Sequence, residues 1–196
     1  MKKSILILNV LFLIFSIQSL KGQKIALKTN LLYGGIAQAP NLGLEVALSD
    51  HYTLDISGGY NPWNRKGSIE NNKKLVHWII SPQGRYWFCE KYNGHFVALN
   101  LLVSQYNISE HNLPWLLGKH SDQYRFEGTA IGGGFSYGYQ WILSSRWSVE
   151  GTLGLGYARL WYDKYPCQKC AEKMGRGHRN YWGPVNAGIS LIYVIK

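Results

Sequence analysis

The feature that most constrains this chain is an alternation of apolar and polar residues that recurs along almost its whole length. Successive side chains of a β-strand point to opposite faces, so a period of two predicts strands with one apolar and one polar face. Turn-forming residues separate the segments, as hairpins require. Eight strands are predicted, over residues 24–33, 41–48, 52–61, 75–88, 95–106, 128–141, 147–162 and 183–195. The expected fold is an all-β, eight-stranded antiparallel up-and-down barrel.

The two faces of these strands differ in charge, which distinguishes two kinds of barrel. The apolar faces are uncharged except for Arg159, close to the end of its strand, where it can reach lipid headgroups. A soluble, lipocalin-like barrel needs charges outside and an apolar cavity inside, whereas a membrane barrel turns its uncharged face to lipid. The pattern therefore favours a transmembrane barrel. Because eight strands leave room only for side chains, we expect the charged residues of the polar faces to pair inside it: Lys28, Glu45, Asp55, Arg85 and Glu150.

The predicted connections alternate between short and long. Short ones cover residues 49–51, 89–94 and 142–146, and the long ones cover 62–74, 107–127 and 163–182; the remaining connection, 34–40, is short. Outer-membrane barrels have short periplasmic turns and longer extracellular loops. This order predicts that the chain enters the barrel from the periplasm and exposes the long connections at the cell surface.

Aromatic residues and glycines fit the same reading. Aromatic residues concentrate near strand ends, as expected for girdles at the two membrane interfaces. Glycines of the sixth and seventh strands predict bends or close strand approach: Gly132, Gly133, Gly134, Gly138, Gly151, Gly154 and Gly156. The girdle near the short turns would comprise Tyr52, Tyr86, Phe88, Tyr139, Trp141, Trp147 and Tyr193, and the other girdle Tyr33, Tyr60, Trp78, Tyr157 and Trp161.

Residues 1–22 have the organisation of a cleaved signal peptide. Lys2 and Lys3 precede an apolar run over 5–15 and a more polar stretch over 16–22, which leaves residues 23–196 as the exported domain. The apolar run is shorter than the roughly 20 residues of a membrane-spanning helix. We expect an outer-membrane location in a Gram-negative cell. A net charge of +10 can indicate nucleic-acid binding, but export and the placement of most charges in two loops argue against that partner.

The most specific local motif is Cys167-x-x-Cys170, in the last predicted loop. An exported chain meets oxidising surroundings, which favours a local disulfide between the two cysteines. The alternatives are a metal site with His178, a catalytic thiol and two free thiols. A structural zinc site usually has four ligands, and this set supplies three. Cys89 lies in a turn at the other end of the barrel, too far away to pair with either. We expect no metal ion and no cofactor.

A lipid-modifying barrel enzyme, the main functional alternative, would require a nucleophile beside a base. His77 and Ser81 share one face of the fourth strand, but four residues of strand place them about 13 Å apart along its axis. They therefore make no dyad, and we expect no catalytic residue. The remaining candidates are loop or loop-mouth residues: His111, His120, Glu127 and Asp163.

Two predicted loops are strongly basic. Such loops suit the phosphates of neighbouring headgroups, including lipopolysaccharide phosphates, and are equally typical of ordinary solvated loops. The basic residues are Arg65, Lys66, Lys73 and Lys74 in one loop and Lys164, Lys169, Lys173, Arg176 and Arg179 in the other.

Several stretches match a known family: ALKTNLLYG (26–34), PNLGLEVAL (40–48), TLDISGGYNPW (53–63) and the segments 77–96, 136–165 and 183–196. On these stretches the chain resembles an uncharacterised outer-membrane β-barrel family of Bacteroidetes that is catalogued as a domain of unknown function. The resemblance implies an outer-membrane barrel and an association with fimbria-like surface assemblies, and it supplies no catalytic residue. We therefore expect a non-enzymatic barrel with a structural or adhesion role, whose loops contact surface polymers or fimbrial proteins.

Overall fold

The eight predicted strands form one closed antiparallel barrel. A computed structural model describes residues 24–63, 72–167 and 171–195, so the predicted signal peptide lies outside the described residues. Each strand pairs with the next, and the last closes onto the first. The all-β, eight-stranded antiparallel prediction is confirmed. The strands are β1 (Ile25–Asn30), β2 (Asn41–Ala47), β3 (Tyr52–Asn61), β4 (Lys74–Trp87), β5 (Gly94–Ser109), β6 (Tyr124–Ile142), β7 (Trp147–Pro166) and β8 (Gly175–Val194).

The two ends of the barrel differ in their connections. We call the end with connections 48–51, 88–93 and 143–146 the turn end, and the opposite end the loop end. Strands β5 to β8 extend further toward the loop end than the alternation predicted, so the last connection shrinks from 163–182 to 167–174. Strand pairing continues there through polar contacts. Asp163, for example, pairs with Arg176, and Arg176 Nε lies 3.2 Å from Asp163 Oδ1. Sequence alternation underestimates strands whose ladder continues beyond the apolar pattern.

The first predicted strand, 24–33, is wrong beyond Asn30. There the chain turns into helix α1 (Leu31–Ala37), and the Asn30 side chain caps it by accepting a hydrogen bond of 3.0 Å from the backbone N–H of Tyr33. An asparagine in this position satisfies an otherwise unpaired N–H of the first turn, which favours a helix start over a continued strand. Leu31 and Tyr33 therefore do not belong to the outer face of a strand, and Tyr33 is not part of an aromatic girdle.

Helix α1 covers a gap in the barrel wall. β1 pairs only with the last residues of β8, from Ser190 to Val194. The longer part of β8 therefore extends beyond β1 toward the loop end. α1 packs against this part of β8 and exposes the apolar side chains of Leu31, Leu32 and Ile36. The helix therefore presents an apolar outer surface where the short strands β1 and β2 leave the wall incomplete. Among the described residues, no helix is both long and apolar enough to cross a membrane.

A bulge in β8 corrects another predicted face. Gly154 of β7 pairs with Asn186 and Leu155 pairs with Pro184, which leaves Val185 as an extra residue in β8. A bulge of one residue shifts the alternation of faces. Val185 was expected on the outer apolar face, but it lines a cavity inside the barrel.

The glycines of β6 and β7 allow the close approach expected of them. Gly134 and Gly156 are register partners, and a Cβ atom on Gly134 would overlap the carbonyl oxygen of Leu155. Only residues without a side chain fit at this point of the wall.

Candidate functional site

Five buried charged side chains meet in the turn-end half of the interior. They come from β1, β2, β3, β4 and β7, and none is more than 6% exposed. Each occupies an inward-facing position of its strand, and the register places Glu45 directly opposite Asp55. We call this set the charge cluster: Lys28, Glu45, Asp55, Arg85 and Glu150. These are the five residues that the sequence predicted to pair inside the barrel, and the structure brings them together.

Arg85 is the centre of the charge cluster. Its Nη1 lies 2.6 Å from Glu150 Oε2 and 3.1 Å from Glu45 Oε2, while its Nη2 lies 3.9 Å from Asp55 Oδ2. Nη2 also donates a 3.1 Å hydrogen bond to the side-chain oxygen of Gln83. A guanidinium presents its donors in a fixed fork, which suits it to several carboxylates at once. Arg85 thus connects β4 to β2, β3 and β7.

Lys28 completes the charge cluster from β1. Its Nζ lies 3.0 Å from Glu150 Oε1 and 3.1 Å from Asp55 Oδ2. Glu150 and Asp55 therefore each contact both cations. Two cations face three carboxylates, and buried charges of this kind are tolerated only when they are partnered. The ion pairs connect five strands across the barrel interior.

An aromatic layer adjoins the charge cluster toward the turn end. Trp87 Nε1 donates a 3.0 Å hydrogen bond to the Thr53 hydroxyl, which donates in turn to Glu45 Oε1 over 2.6 Å. The Arg85 guanidinium carbon lies 4.6 Å from the centre of the Phe96 ring. Sequence reasoning missed Trp87 and Phe96 as interior residues, although the alternation of β4 and β5 puts both on the inward face.

The loop-end half of the interior is filled by apolar residues. This apolar plug also draws on the connection 110–123, which folds inward to bury Leu117. Sequence reasoning missed it because part of it lies in segments that were expected to be loops. Continuing the alternation of β5 and β6 past their predicted ends would have placed several members inside. The plug consists of Tyr106, Ile108, Leu117, Phe126, Ala130, Ala158, Leu160 and Tyr181.

A cavity of about 160 Å³ lies inside the barrel, beside the charge cluster. Its lining includes Lys28 and Arg85 together with hydroxyl and amide groups such as those of Ser81 and Asn186. Tyr33 from α1 also lines it, and its hydroxyl lies 2.6 Å from His77 Nε2. A cavity of this size with several hydrogen-bonding groups on its wall suits ordered water.

The residues considered for catalysis have separate partners. His77 contacts Tyr33, while Ser81 donates a 2.9 Å hydrogen bond to the carbonyl oxygen of Leu101. Glu127 and Asp163 are register partners on the outer face of β6 and β7. His111 and His120 lie in the connection between β5 and β6. The structure does not bring these candidates into one site.

The cysteine motif falls at the edge of the described chain. Cys167 Sγ lies 3.7 Å from the carbonyl oxygen of Asp122, whereas Cys170 lies outside the described residues, so the disulfide stays a prediction. Arg65, Lys66 and Lys169 also lie outside them. Within residues 24–63, 72–167 and 171–195, no group of three or more His, Cys, Asp or Glu residues is placed to hold a metal ion.

The outer surface carries a wide apolar belt between two aromatic levels. Exposed aromatic residues at its turn-end edge include Tyr52, Trp141 and Trp147, and Tyr60 and Trp161 lie at its loop-end edge. The side chains between them are exposed despite their hydrophobicity, and Phe135 is 75% exposed. The other exposed members of the belt are Leu42, Leu44, Leu54, Ile56, Ile80, Val97, Leu99, Leu101, Val103, Ile131, Leu153, Leu155 and Ile189.

One family model matches nearly the whole chain. It carries the description "Protein of unknown function (DUF3575)" and covers residues 7–195. No curated protein and no solved structure matches the chain. The function must therefore be argued from the charge cluster, the apolar plug, the belt and the loop-end surface.

Proposed function

The chain belongs to the DUF3575 family, and we propose that it is a non-enzymatic outer-membrane β-barrel that presents its loop end at the cell surface for a structural or adhesion role. The observation that carries this proposal is the apolar belt. Monomeric soluble proteins rarely expose contiguous apolar patches of more than a few hundred Å². A belt that surrounds a barrel, with aromatic residues at both edges, is typical of outer-membrane barrels.

Helix α1 supports a lipid environment independently of the strands. Backbone N–H and C=O groups in a bilayer must be covered or paired, because no water is present to satisfy them. α1 lies against the part of β8 that extends beyond β1, and Asn30 Nδ2 donates a 3.2 Å hydrogen bond to the carbonyl oxygen of Ala187 there. The outer side of the helix is apolar, as shown by Leu31, Leu32 and Ile36. This combination suits a wall element that meets lipid.

The filled interior favours a role for the loop end over a role as a channel. The charge cluster and the apolar plug occupy successive levels of the interior. A tilted strand needs about 9–11 residues to cross the hydrocarbon core, whereas β7 and β8 have 20 residues each. Roughly half of this hairpin would project from the membrane. A projecting hairpin on a rigid barrel is suited to contacts with surface polymers or fimbrial proteins.

The test of the membrane assignment places a charge on the belt. Phe135→Arg should make folding into lipid less favourable by about 2–4 kcal/mol, the cost of an arginine at the bilayer midplane. The matched control is Glu127→Arg, on the same outer face of β6 but beyond the belt. Membrane fractionation and heat-modifiable gel mobility would report insertion. If the wild-type chain is aqueous and Phe135→Arg only increases its solubility, the belt is not a lipid-facing surface.

The surface role has a separate test. Replacing residues 163–179 by a short turn should leave the barrel inserted and heat-modifiable, while surface adhesion or fimbrial assembly falls. A mutant with an intact barrel and unchanged surface properties would contradict a role for this hairpin. A changed lipid profile in cells that lack the protein would instead favour a lipid-modifying enzyme.

A further inference from the structure

Arg159 is the one charged residue on the outer faces that the sequence assigned to lipid, close to the end of its strand where it can reach headgroups, and its structural neighbours bear on the headgroup chemistry that it contacts. It lies on β7 between Ile131 of β6 and Asn180 of β8, and both register partners are uncharged. Its guanidinium carbon is 5.5 Å from the centre of the Trp161 ring. Arg159 therefore lies at the aromatic loop-end edge of the belt, which is the level of lipid headgroups in the proposed orientation.

The neighbours of Arg159 add neutral hydrogen-bonding groups and aromatic surface. Trp161, the next outward residue of β7, pairs with Thr129 on one side and His178 on the other. The Tyr157 hydroxyl donates a 2.8 Å hydrogen bond to Asn180 Oδ1, which leaves the amide nitrogen of that side chain available as a donor. We call Arg159, Trp161, His178 and Asn180 the headgroup patch.

An open groove continues from the headgroup patch toward the loop end. It has a volume of about 480 Å³, and its lining includes Thr129, Trp161 and His178. Glu127 and Asp163 also line it, and Asp163 is engaged by Lys173 Nζ at 2.5 Å and Arg176 Nε at 3.2 Å. Both carboxylates lie beyond the Trp161 level, on the far side from Arg159 along the strands. Among the described residues, the ion pairs of Asp163 are with Lys173 and Arg176 and not with Arg159, which leaves the positive charge of Arg159 at the headgroup level.

We propose that the headgroup patch binds the phosphate of a phosphate-bearing lipid in the leaflet that faces the loop end. Arg159 holds the phosphate oxygens with its guanidinium fork, and His178 and Asn180 supply further donors. Trp161 packs against the glycerol or sugar portion, and the groove accommodates the rest of the headgroup. Arginine matches phosphate geometry with two parallel hydrogen bonds, which a lysine does not reproduce. The inference rests on the proposed membrane location and adds one lipid class and one binding position to it.

The test compares lipids retained by the full exported chain in nanodiscs. The discs contain phosphatidylcholine with equal small fractions of phosphatidic acid and a neutral galactolipid, and native mass spectrometry counts the lipids that stay bound. The wild-type chain should retain phosphatidic acid over galactolipid, and Arg159→Ala should reduce that preference roughly tenfold, as expected for loss of a charge-assisted contact. Arg159→Lys should restore part of it. Lys119→Ala, which removes an exposed cation of the connection 110–123 at the loop end, outside the groove lining, should retain the wild-type preference.

Three results would overturn the inference. The first is equal lipid retention by Arg159→Ala and the wild-type chain. The second is a loss in Lys119→Ala as large as that in Arg159→Ala, which would indicate general attraction by the basic loop end. The third is binding of inorganic phosphate in detergent without any preference among lipids, which would indicate a phosphate site rather than a headgroup site. Heat-modifiable mobility is recorded for each variant, so that failure of insertion, which contradicts the proposed function, is distinguished from loss of lipid preference.

Discussion

The two halves of the barrel interior are filled by opposite chemistry within one continuous wall. At the turn end, Arg85 and Lys28 hold three buried carboxylates through distances of 2.6 to 3.9 Å. At the loop end, the apolar plug buries residues such as Leu160 and Phe126. We expect the charge cluster to specify which strands face one another, because ion pairs require defined partners and apolar contacts do not. The plug stabilises the barrel by packing and by excluding water. Such packing does not depend on the kind of backbone that supplies a side chain, so a connection can contribute residues as readily as a strand.

The largest expected effect comes from breaking the charge cluster. Arg85→Met keeps a long side chain but leaves Glu45, Asp55 and Glu150 facing Lys28 alone. Removing one partner of a buried ion pair typically costs about 3–5 kcal/mol. Urea unfolding of the barrel in lipid vesicles would measure the loss. Arg146→Met is the matched control, because Arg146 is exposed at the turn end and donates to the Tyr193 hydroxyl. A loss of unfolding free energy of similar size in this control would contradict a special contribution of the charge cluster.

A somewhat smaller effect is expected from opening a space in the apolar plug. Leu160→Ala removes a side chain that is 1% exposed, and truncations of this kind cost about 2–5 kcal/mol. The same unfolding measurement applies. Leu155→Ala provides the comparison, because Leu155 lies on the same strand but is exposed on the belt. If both substitutions destabilise equally, the loop-end half is not a packed core.

The smallest effect is expected beside the cavity, where α1 contacts the interior. Tyr33→Phe removes the hydroxyl that lies 2.6 Å from His77 Nε2, and loss of one hydrogen bond should lower the free energy of unfolding by about 0.5–1.5 kcal/mol. Tyr60→Phe, at an exposed position of the belt edge, should change it less. An unchanged stability of Tyr33→Phe would show that α1 is not held by this contact.

The alternation was sufficient to predict the strand count, the inward position of all five charge-cluster residues and the outward position of the belt. It failed where a local interaction interrupts the period. The Asn30 cap starts a helix at Leu31, and the extra residue Val185 turns toward the cavity. Neither the helix start nor the bulge alters the hydrophobicity pattern of the sequence, so a search for a period of two does not reveal them.

The sequence by itself determined which side of each strand is inward, because successive side chains of a strand must point to opposite faces. That rule is local and requires no knowledge of neighbouring strands. Only the tertiary structure decided that Arg85 contacts Glu45 and Glu150, residues 40 and 65 positions away. It also decided that Leu117 enters the plug and that α1 lies where β1 and β2 are short. These outcomes depend on barrel register and on space left between distant segments, which no local pattern of residues contains.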